Sequence, residues 1–153
     1  MMQFYYYDSS EWFPLLLAEN GLFKIRSQSR FWTTPAHHPF HVKVDDQLAG
    51  FALVDNDVVD GESQFNIAQF FIARRYRGQG IGRRAATLLF DQFRGRWEVY
   101  QLTNNLSAQA FWRQTIASYT HGIFHEVRTV IDSLESVQQR FDSSRAPRFP
   151  RPS

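Results

Sequence analysis

A glycine-rich turn between a strand-like run and a helix-like run constrains the fold of this chain more than any other feature. Residues 65–72 are apolar and rich in β-forming side chains, and apolar residues recur at helical spacing after the turn. The turn itself reads Arg77-Gly78-Gln79-Gly80-Ile81-Gly82. Such a turn leaves backbone N–H groups unpaired beside the positive end of a helix dipole. The sequence therefore predicts a phosphate or pyrophosphate site here.

The charges around the turn favour the same interpretation. Between Ser63 and Phe90 there is no acidic residue, whereas the arginines of this segment are Arg74, Arg75, Arg77, Arg83 and Arg84. The last two stand in the first helical turn, where each cation costs roughly 0.3–1 kcal/mol against the helix dipole. A bound anion with several charges would offset that cost. The alternative is a solvated arginine cluster beside an ordinary turn.

Length and composition indicate one globular domain. The chain has 153 residues, 43% of them hydrophobic and 21% charged. We expect the domain to span residues 1–144 and the Pro/Arg-rich segment 145–153 to be a mobile tail. Without cysteine the chain has neither a disulfide framework nor a thiolate nucleophile.

The same sequence bears on location and partners. It shows no signal peptide and no apolar run long enough to cross a membrane, so we expect a cytoplasmic protein with no membrane partner. The net charge is only +2, and the arginines concentrate at one turn and in the tail. We therefore expect no nucleic-acid partner. A monomer or a homodimer remains open.

The remaining pattern predicts a mixed α/β class with a single central sheet. Predicted strands cover residues 3–7, 41–44, 48–54, 65–72, 97–102, 124–131 and 137–141. Predicted helices run from Ser9 or Ser10 to about residue 20, from the glycine turn to about Phe93, and over 107–117. Trp12, Phe13 and Leu16 are predicted core residues. The strand–helix–strand order from 65 to 102 predicts one parallel strand pair.

Two nucleotide-binding fingerprints do not fit the turn. The dinucleotide pattern G-x-G-x-x-G meets Arg83 at its third glycine, and no Gly-Lys-Ser/Thr occurs anywhere. The turn instead resembles the acetyl-CoA motif R/Q-x-x-G-x-G/A of the GNAT superfamily of N-acetyltransferases, with Arg77, Gly80 and Gly82 at the fixed positions. Residues 105–112, which read Asn-Leu-Ser-Ala-Gln-Ala-Phe-Trp, resemble the family's N-x-x-A-x-x-F-Y helix segment.

The resemblance implies a fold and a co-substrate. The fold would be a mostly antiparallel sheet flanked by helices, with one parallel βαβ pair around acetyl-CoA. The implied cofactor-binding residues are Phe71, Ile72, Arg77, Gly78, Gln79, Gly80, Ile81, Gly82, Arg83, Asn105 and Phe111. The strand backbone would bond the pantetheine arm, and the N–H of Phe71 or Ile72 would polarise the thioester carbonyl. The turn would hold the pyrophosphate, Asn105 would bond the arm and Phe111 would pack on it.

The implied reaction is direct attack of a primary amine, from a small molecule or a peptide, on the acetyl thioester. The amine must first lose a proton, and the departing thiolate must gain one. Where many family members carry the base and the acid, this chain has Gln69 and Trp112, which serve neither role. The predicted substitutes are Glu98 and Tyr119.

Alternatives to these substitutes stay open: Tyr100, Asp60, Glu62 and water-mediated deprotonation with catalysis by positioning. Two functions consequently remain. The chain is either a working N-acetyltransferase or an acyl-CoA-binding module whose chemistry is lost or regulatory.

A histidine cluster at His37, His38 and His41 is the remaining candidate for chemistry. Imidazoles ligate metals, but no cysteine or well-spaced carboxylate completes a site, so we expect no bound metal. With Phe31 and Trp32, the first two histidines either contact the acceptor or form a loop packed by its own aromatic rings. We favour the packed loop.

Overall fold

The computed structural model describes residues 1–147, and all bounds below refer to that part of the chain. Its helices are α1 (Met2–Ser9), α2 (Arg30–Thr33), α3 (Ile81–Gln92) and α4 (Leu106–Thr120). Its strands are β1 (His38–Val44), β2 (Gln47–Asp55), β3 (Phe65–Ile72), β4 (Arg96–Leu102), β5 (His125–Ile131) and β6 (Leu134–Asp142). Two short 3₁₀ turns cover Arg74–Tyr76 and Ser143–Arg145.

Within residues 1–147 the strands form a six-stranded sheet in the order β1-β2-β3-β4-β6-β5. Neighbouring strands are antiparallel except β3 and β4, which are parallel. The predicted mixed α/β class with one parallel pair is thus confirmed. The predicted hairpin, glycine turn, following helix and closing antiparallel pair are also present, with bounds that differ by a few residues.

The parallel pair is short, and this feature positions the site. Strands β3 and β4 pair only at Phe65 with Trp97 and at Asn66 with Glu98, and then separate. Beyond that point the register between β2 and β3 shifts, so that Ala68 is an extra residue on β3. A bulge of this kind bends its strand and re-aims the following side chains. The bent β3 therefore runs away from β4 and leaves a gap in the middle of the sheet.

Apolar side chains form one cluster on each face of the sheet. Helices α3 and α4 cover one face, where Phe90, Trp97 and Tyr119 are among the most deeply buried side chains. Fully burying an apolar side chain stabilises the fold by about 1.5–3 kcal/mol each. A smaller cluster on the opposite face includes Phe51 and Phe71.

The N-terminal assignments from sequence are wrong. Residues 3–7 form helix α1 instead of a strand, and no helix follows from Ser9 or Ser10 to residue 20. A short aromatic run has too little periodicity to decide between helix and strand. Contacts decide instead, because Tyr5 packs edge-on against Phe51 and Phe71 of the sheet. After α1 the chain turns and reaches Pro14, which has no N–H to continue a helical ladder.

The predicted core residues of that missing helix are wrong as well. The side chain of Leu16 is 83% exposed and that of Phe13 is 36% exposed. Trp12 lines a surface cleft. Helical spacing predicts a buried face only where a helix forms, and no helix forms here, so these side chains do not share one face.

Most of the predicted tail, residues 148–153, lies outside the described residues. The chain just before it is held to the body, since Arg94 donates to the carbonyl oxygens of Ser144 at 3.0 Å and Ala146 at 2.5 Å. The domain limits predicted from sequence stay a prediction. Across residues 1–147, every helix is too short or too polar to cross a membrane.

Candidate active site

A cleft of about 690 Å³ opens where β3 and β4 separate. Residues 67–72 of β3 and 99–101 of β4 form its two long walls, and the glycine turn, the start of α4 and helix α1 complete it. Because β4 pairs with β3 only at its first residues, the backbone groups of β3 that point across the gap have no strand partner among residues 1–147. The cleft thus has space and hydrogen-bonding backbone for an extended molecule.

Free backbone donors gather at the end of the cleft beyond Ile72. In the described part of the chain, the N–H groups from Gly78 to Arg83 have no hydrogen-bond partner, and the first helical bond runs from Arg84 N to Gly80 O at 3.0 Å. Gly80 has φ +77°, a left-handed conformation that favours glycine. A Cβ built on it would meet no atom within 4 Å, so the space beside these donors is open.

Gly82 lies where helix α3 packs closely against helix α4. A Cβ there would lie 3.2 Å from the ring of Phe111 and 3.5 Å from Ile72. The close approach lets Phe111 stack on Phe70, with ring centroids 5.8 Å apart. The start of α3 thereby fixes the aromatic side of the cleft.

The predicted anion-binding arginines differ in their surroundings. Arg77 donates through Nε to Ile72 O at 2.6 Å and pairs closely with Asp8, which also pairs with Arg74 at 3.5 Å. Arg77 therefore ties helix α1 to the end of β3. Arg83 lines the cleft, is exposed, and within residues 1–147 has no ion pair or hydrogen bond. Of the two, Arg83 is the one available to a ligand.

Asn105 has a structural role and a free amide nitrogen. Its Oδ1 accepts from Ala108 N at 3.0 Å and from Ser107 Oγ at 3.1 Å, which caps helix α4. The capping bonds use only the oxygen. The Nδ2 group of this cleft-lining residue is left to donate elsewhere.

The inner walls carry polar groups that are buried without partners. The Oε1 atoms of Gln69, beside the bulge, and Gln101, on β4, accept no hydrogen bond among the described residues. Tyr100 lies beside Gln101, and burial raises the pKa of its phenol. The negative charges of Asp55 and Asp132 raise that pKa further. The hydroxyl of Tyr100 thus stays protonated at neutral pH.

Glu98 does not line the cleft. Its carboxylate is fully buried and accepts from Val59 N at 2.6 Å, from Asp60 N at 3.1 Å and from Gln138 Nε2 at 3.0 Å. Burial raises the pKa of Glu98, while the two backbone bonds lower it. Asp60, another candidate from sequence, itself caps the next residues by accepting from Ser63 N at 2.7 Å.

Tyr119 does not line the cleft either. It is fully buried among the aromatic side chains beneath α3 and α4. Its hydroxyl donates to Asp91 at 2.8 Å and accepts from Arg94 at 3.0 Å. Burial raises its pKa further above that of a free phenol. Neither predicted catalytic residue is brought to the other cleft residues, so we carry neither role forward.

Helix α1 and the turn that follows it contribute cleft residues that the sequence does not predict. Tyr5, Asp8 and Trp12 all line the cleft. The sequence predicts Tyr5 on a strand and Trp12 in the core of a following helix, and neither prediction places a residue in a cleft. Tyr5 and Asp8 are three residues apart and so lie on one side of the helix, but a run this short does not by itself distinguish a helix from a strand.

The three histidines do not converge. His38 packs on Phe93 with ring centroids 4.8 Å apart, whereas His37 Nε2 faces Asp57 Oδ1 at 3.8 Å. His37, Asp55 and Asp57 place one ligand atom each within 4.8 Å of one another. Arg30 already pairs with both carboxylates, at 3.7 Å and 2.8 Å. The expectation of no metal stays a prediction.

Comparison with known proteins gives a family match and similar folds. The model of the acetyltransferase (GNAT) family matches residues 2–116. An acetyltransferase from Thermus thermophilus is 16% identical with a TM-score of 0.58, covering 74% of this chain and 69% of its own. The ribosomal-protein-S18-alanine N-acetyltransferase from Escherichia coli is 17% identical with a TM-score of 0.56, covering 80% of each chain.

A third solved structure holds ligands. Spermidine N-acetyltransferase from Vibrio cholerae, in complex with CoA and spermine, is 13% identical with a TM-score of 0.57, covering 76% of this chain and 72% of its own. At these identities the solved structures establish a shared fold. None of the curated proteins gives a match to this chain.

Proposed function

Since the chain belongs to the acetyltransferase (GNAT) family, we propose that it is an N-acetyltransferase that moves an acetyl group from acetyl-CoA to a primary amine. One observation carries the proposal. The gap between β3 and β4 leads directly to the free N–H groups of residues 78–83. This arrangement suits a long molecule with a polar, extended arm and a multiply charged phosphate end.

Each part of the co-substrate has a matching part of the cleft. The N–H groups of the turn and the cation of Arg83 hold the pyrophosphate. The open edge of β3 bonds the pantetheine arm as an added strand would, and the free Nδ2 of Asn105 donates to a carbonyl of the arm. The N–H of Phe71 or Ile72 is the donor that polarises the thioester carbonyl.

A cationic amine suits the part of the cleft lined by Tyr100. The negative charges of Asp55 and Asp132, which raise the pKa of Tyr100, favour a cationic group beside this residue. Two of the similar folds are named for amine acceptors, spermidine and the alanine of ribosomal protein S18. We accordingly propose an amine of a small molecule or a peptide as acceptor.

The chemistry is direct transfer. The neutral amine nitrogen bonds to the acetyl carbonyl carbon, the carbon–sulfur bond breaks, and the thiolate takes a proton. Tyr100 is the proposed proton donor, because the residue lines the cleft and its raised pKa keeps the proton on its hydroxyl at neutral pH. The cleft-lining carboxylate Asp8 is paired with Arg74 and Arg77, so the proton of the amine leaves through water. Most of the rate comes from positioning.

The alternative is an acyl-CoA-binding module without turnover. The ion pairs of Asp8 with Arg74 and Arg77 favour it, because they leave this carboxylate unable to act as a base. Release of free thiol from acetyl-CoA across a panel of amines separates the two functions. Turnover above the uncatalysed rate supports the transferase. Acetyl-CoA binding without turnover on any amine supports the module.

The cofactor site has a matched pair of variants. Gly80 and Gly122 both have positive φ, +77° and +84°, and both have open space where a Cβ would stand. Gly80→Ala and Gly122→Ala therefore carry similar backbone strain, but only the first places a methyl group beside the free N–H donors. We expect Gly80→Ala to weaken acetyl-CoA binding about tenfold or more, because the methyl group would break one charge-assisted hydrogen bond to the phosphate. Equal affinities of the two variants in calorimetry would overturn the pyrophosphate assignment.

A further inference from the structure

A chain of side-chain hydrogen bonds runs from the outer strand β5 to the wall of the cleft. Arg113 on α4 donates to Glu126 on β5, through Nη2 at 2.7 Å and Nε at 3.0 Å. Glu126 accepts from Gln139 Nε2 at 2.9 Å, and Gln139 Oε1 accepts from Gln101 Nε2 at 3.0 Å. Gln139 is fully buried and Gln101 is 6% exposed. We call these four residues the relay.

Glu126, the charged acceptor in the relay, determines which group donates and which accepts in each of the other hydrogen bonds. Arg113 lowers the pKa of Glu126, so Glu126 stays ionised and can only accept. Gln139 must therefore turn its NH₂ group toward Glu126 and its oxygen toward Gln101. Gln101 must in turn give its NH₂ group to Gln139. Its Oε1 is left over on a residue that lines the cleft, and it has no donor among residues 1–147.

A buried carbonyl oxygen without a donor destabilises the folded protein, because it has lost its hydrogen bonds to water and gained none in return. A ligand that brings an N–H group to this atom removes this destabilisation, whereas a ligand that brings a carbonyl or carboxylate oxygen meets repulsion. We propose that the relay makes Gln101 Oε1 a fixed hydrogen-bond acceptor for an N–H group of the molecule in the cleft, with Glu126 as the positioning residue that sets this polarity. The proposal rests on the proposed function for the identity of the ligand.

Two N–H sources share this chemistry: an amide of the pantetheine arm and the acceptor amine. The variant Glu126→Gln distinguishes them because it reverses the relay. Arg113 still requires an oxygen, so the new amide turns its NH₂ group toward Gln139. Gln139 then donates to Gln101 Oε1, and the NH₂ group of Gln101 faces the cleft. Glu135→Gln, an exposed acid at the start of β6 on the same hairpin, is the matched control.

If the relay sets the polarity of Gln101, reversing it weakens the binding of one of the two ligands and leaves the other unchanged. Glu126→Gln raises either the Kd for acetyl-CoA or the KM for the amine by about three- to twelvefold, the worth of one hydrogen bond. The first result assigns the N–H to the cofactor arm and the second to the acceptor. Glu135→Gln changes neither. Equal values in Glu126→Gln and wild type, or parallel losses in the control, overturn the proposal.

A double-mutant cycle separates polarity from simple loosening of the fold. Gln101→Met removes the oxygen itself, so Glu126→Gln has no further effect on the same constant in that background. An undiminished effect of Glu126→Gln in that background shows a structural role only and overturns the proposal.

Hydrogen exchange of the Gln101 side-chain NH₂ group, measured by NMR, needs no ligand. We expect it to be slow in wild type and fast in Glu126→Gln, where the group faces the cleft. Unchanged exchange overturns the relay even if acetyl-CoA fails to bind. Failure of acetyl-CoA to bind wild type refutes the proposed function separately.

Discussion

Glu98 offers the sharpest test of whether a buried carboxylate in this fold serves structure or catalysis. The change is Glu98→Gln, which keeps size and shape and removes one hydrogen-bond acceptor. The bonds from Val59 N and Asp60 N connect the loop after β2 to β4. We expect the variant to be less stable than wild type and equally active at saturating substrate, because the residue lies outside the cleft.

The size of the effect follows from the three donors. If the remaining oxygen keeps Asp60 N and Gln138 Nε2, the new NH₂ group faces Val59 N, which then loses its partner. An unsatisfied buried N–H costs about 1–3 kcal/mol, and the removal of a buried charge offsets part of this. We expect a net loss of about 1–2 kcal/mol at pH 7. For a chain of this size that is a fall in Tm of about 2–8 °C.

The pH dependence has a definite sign. Burial raises the pKa of Glu98, so the folded state binds this proton more tightly than the unfolded chain, whose value is near 4.5. Protonation of Glu98 therefore adds to the free energy of unfolding. This contribution is fully present below the unfolded pKa and is lost as pH rises through the folded pKa. The variant does not titrate at this position. The difference in free energy of unfolding between wild type and Glu98→Gln is therefore smallest at pH 7 and grows as pH falls toward 4.5.

Urea unfolding of wild type and variant at several pH values measures the difference, with Glu135→Gln as an exposed control. A change within about 0.5 kcal/mol, as for an ordinary surface substitution, would refute the structural role. A fall in kcat of about tenfold or more in a folded variant would instead restore the catalytic role predicted from sequence.

Three further variants test the site and its surroundings. Tyr100→Phe should lower kcat about 100-fold with unchanged acetyl-CoA affinity, and a kcat near wild type would exclude it as proton donor. Arg83→Gln should raise the KM for acetyl-CoA about tenfold, with the difference shrinking in high salt; steady-state kinetics at two ionic strengths check this. Tyr119→Phe should lower the free energy of unfolding by about 1–2 kcal/mol, since Asp91 and Arg94 lose its hydroxyl, and leave kcat unchanged.

The central part of this fold was predictable because its signals are local. The glycine turn between residues 65–72 and 81–92 sets strand, turn and helix by backbone requirements alone, and the structure has all three. The start of α4 at Asn105 follows a capping signal of the same kind. Such signals need no knowledge of distant contacts.

The N-terminal helix and the catalytic residues were not predictable in the same way. Tyr5 is helical because of packing against strands some 45 and 65 residues away, which the run itself does not encode. Period-two alternation placed Glu98 and Tyr100 on one face, yet only Tyr100 lines the cleft. The loop at Val59 and Asp60 covers Glu98, and loop positions follow no short-range rule.

The two-residue pairing of β3 with β4 has a consequence for the cooperativity of the molecule. Within residues 1–147 the sheet consists of two three-stranded halves, β1-β2-β3 and β4-β6-β5, whose strands pair with each other only at that seam. A ligand that lies between the separated strands supplies the backbone-like bonds that a further strand would have made. Binding of such a ligand would complete the sheet, so we expect the halves to exchange amide protons as two units in the free protein and as one unit when the ligand is present.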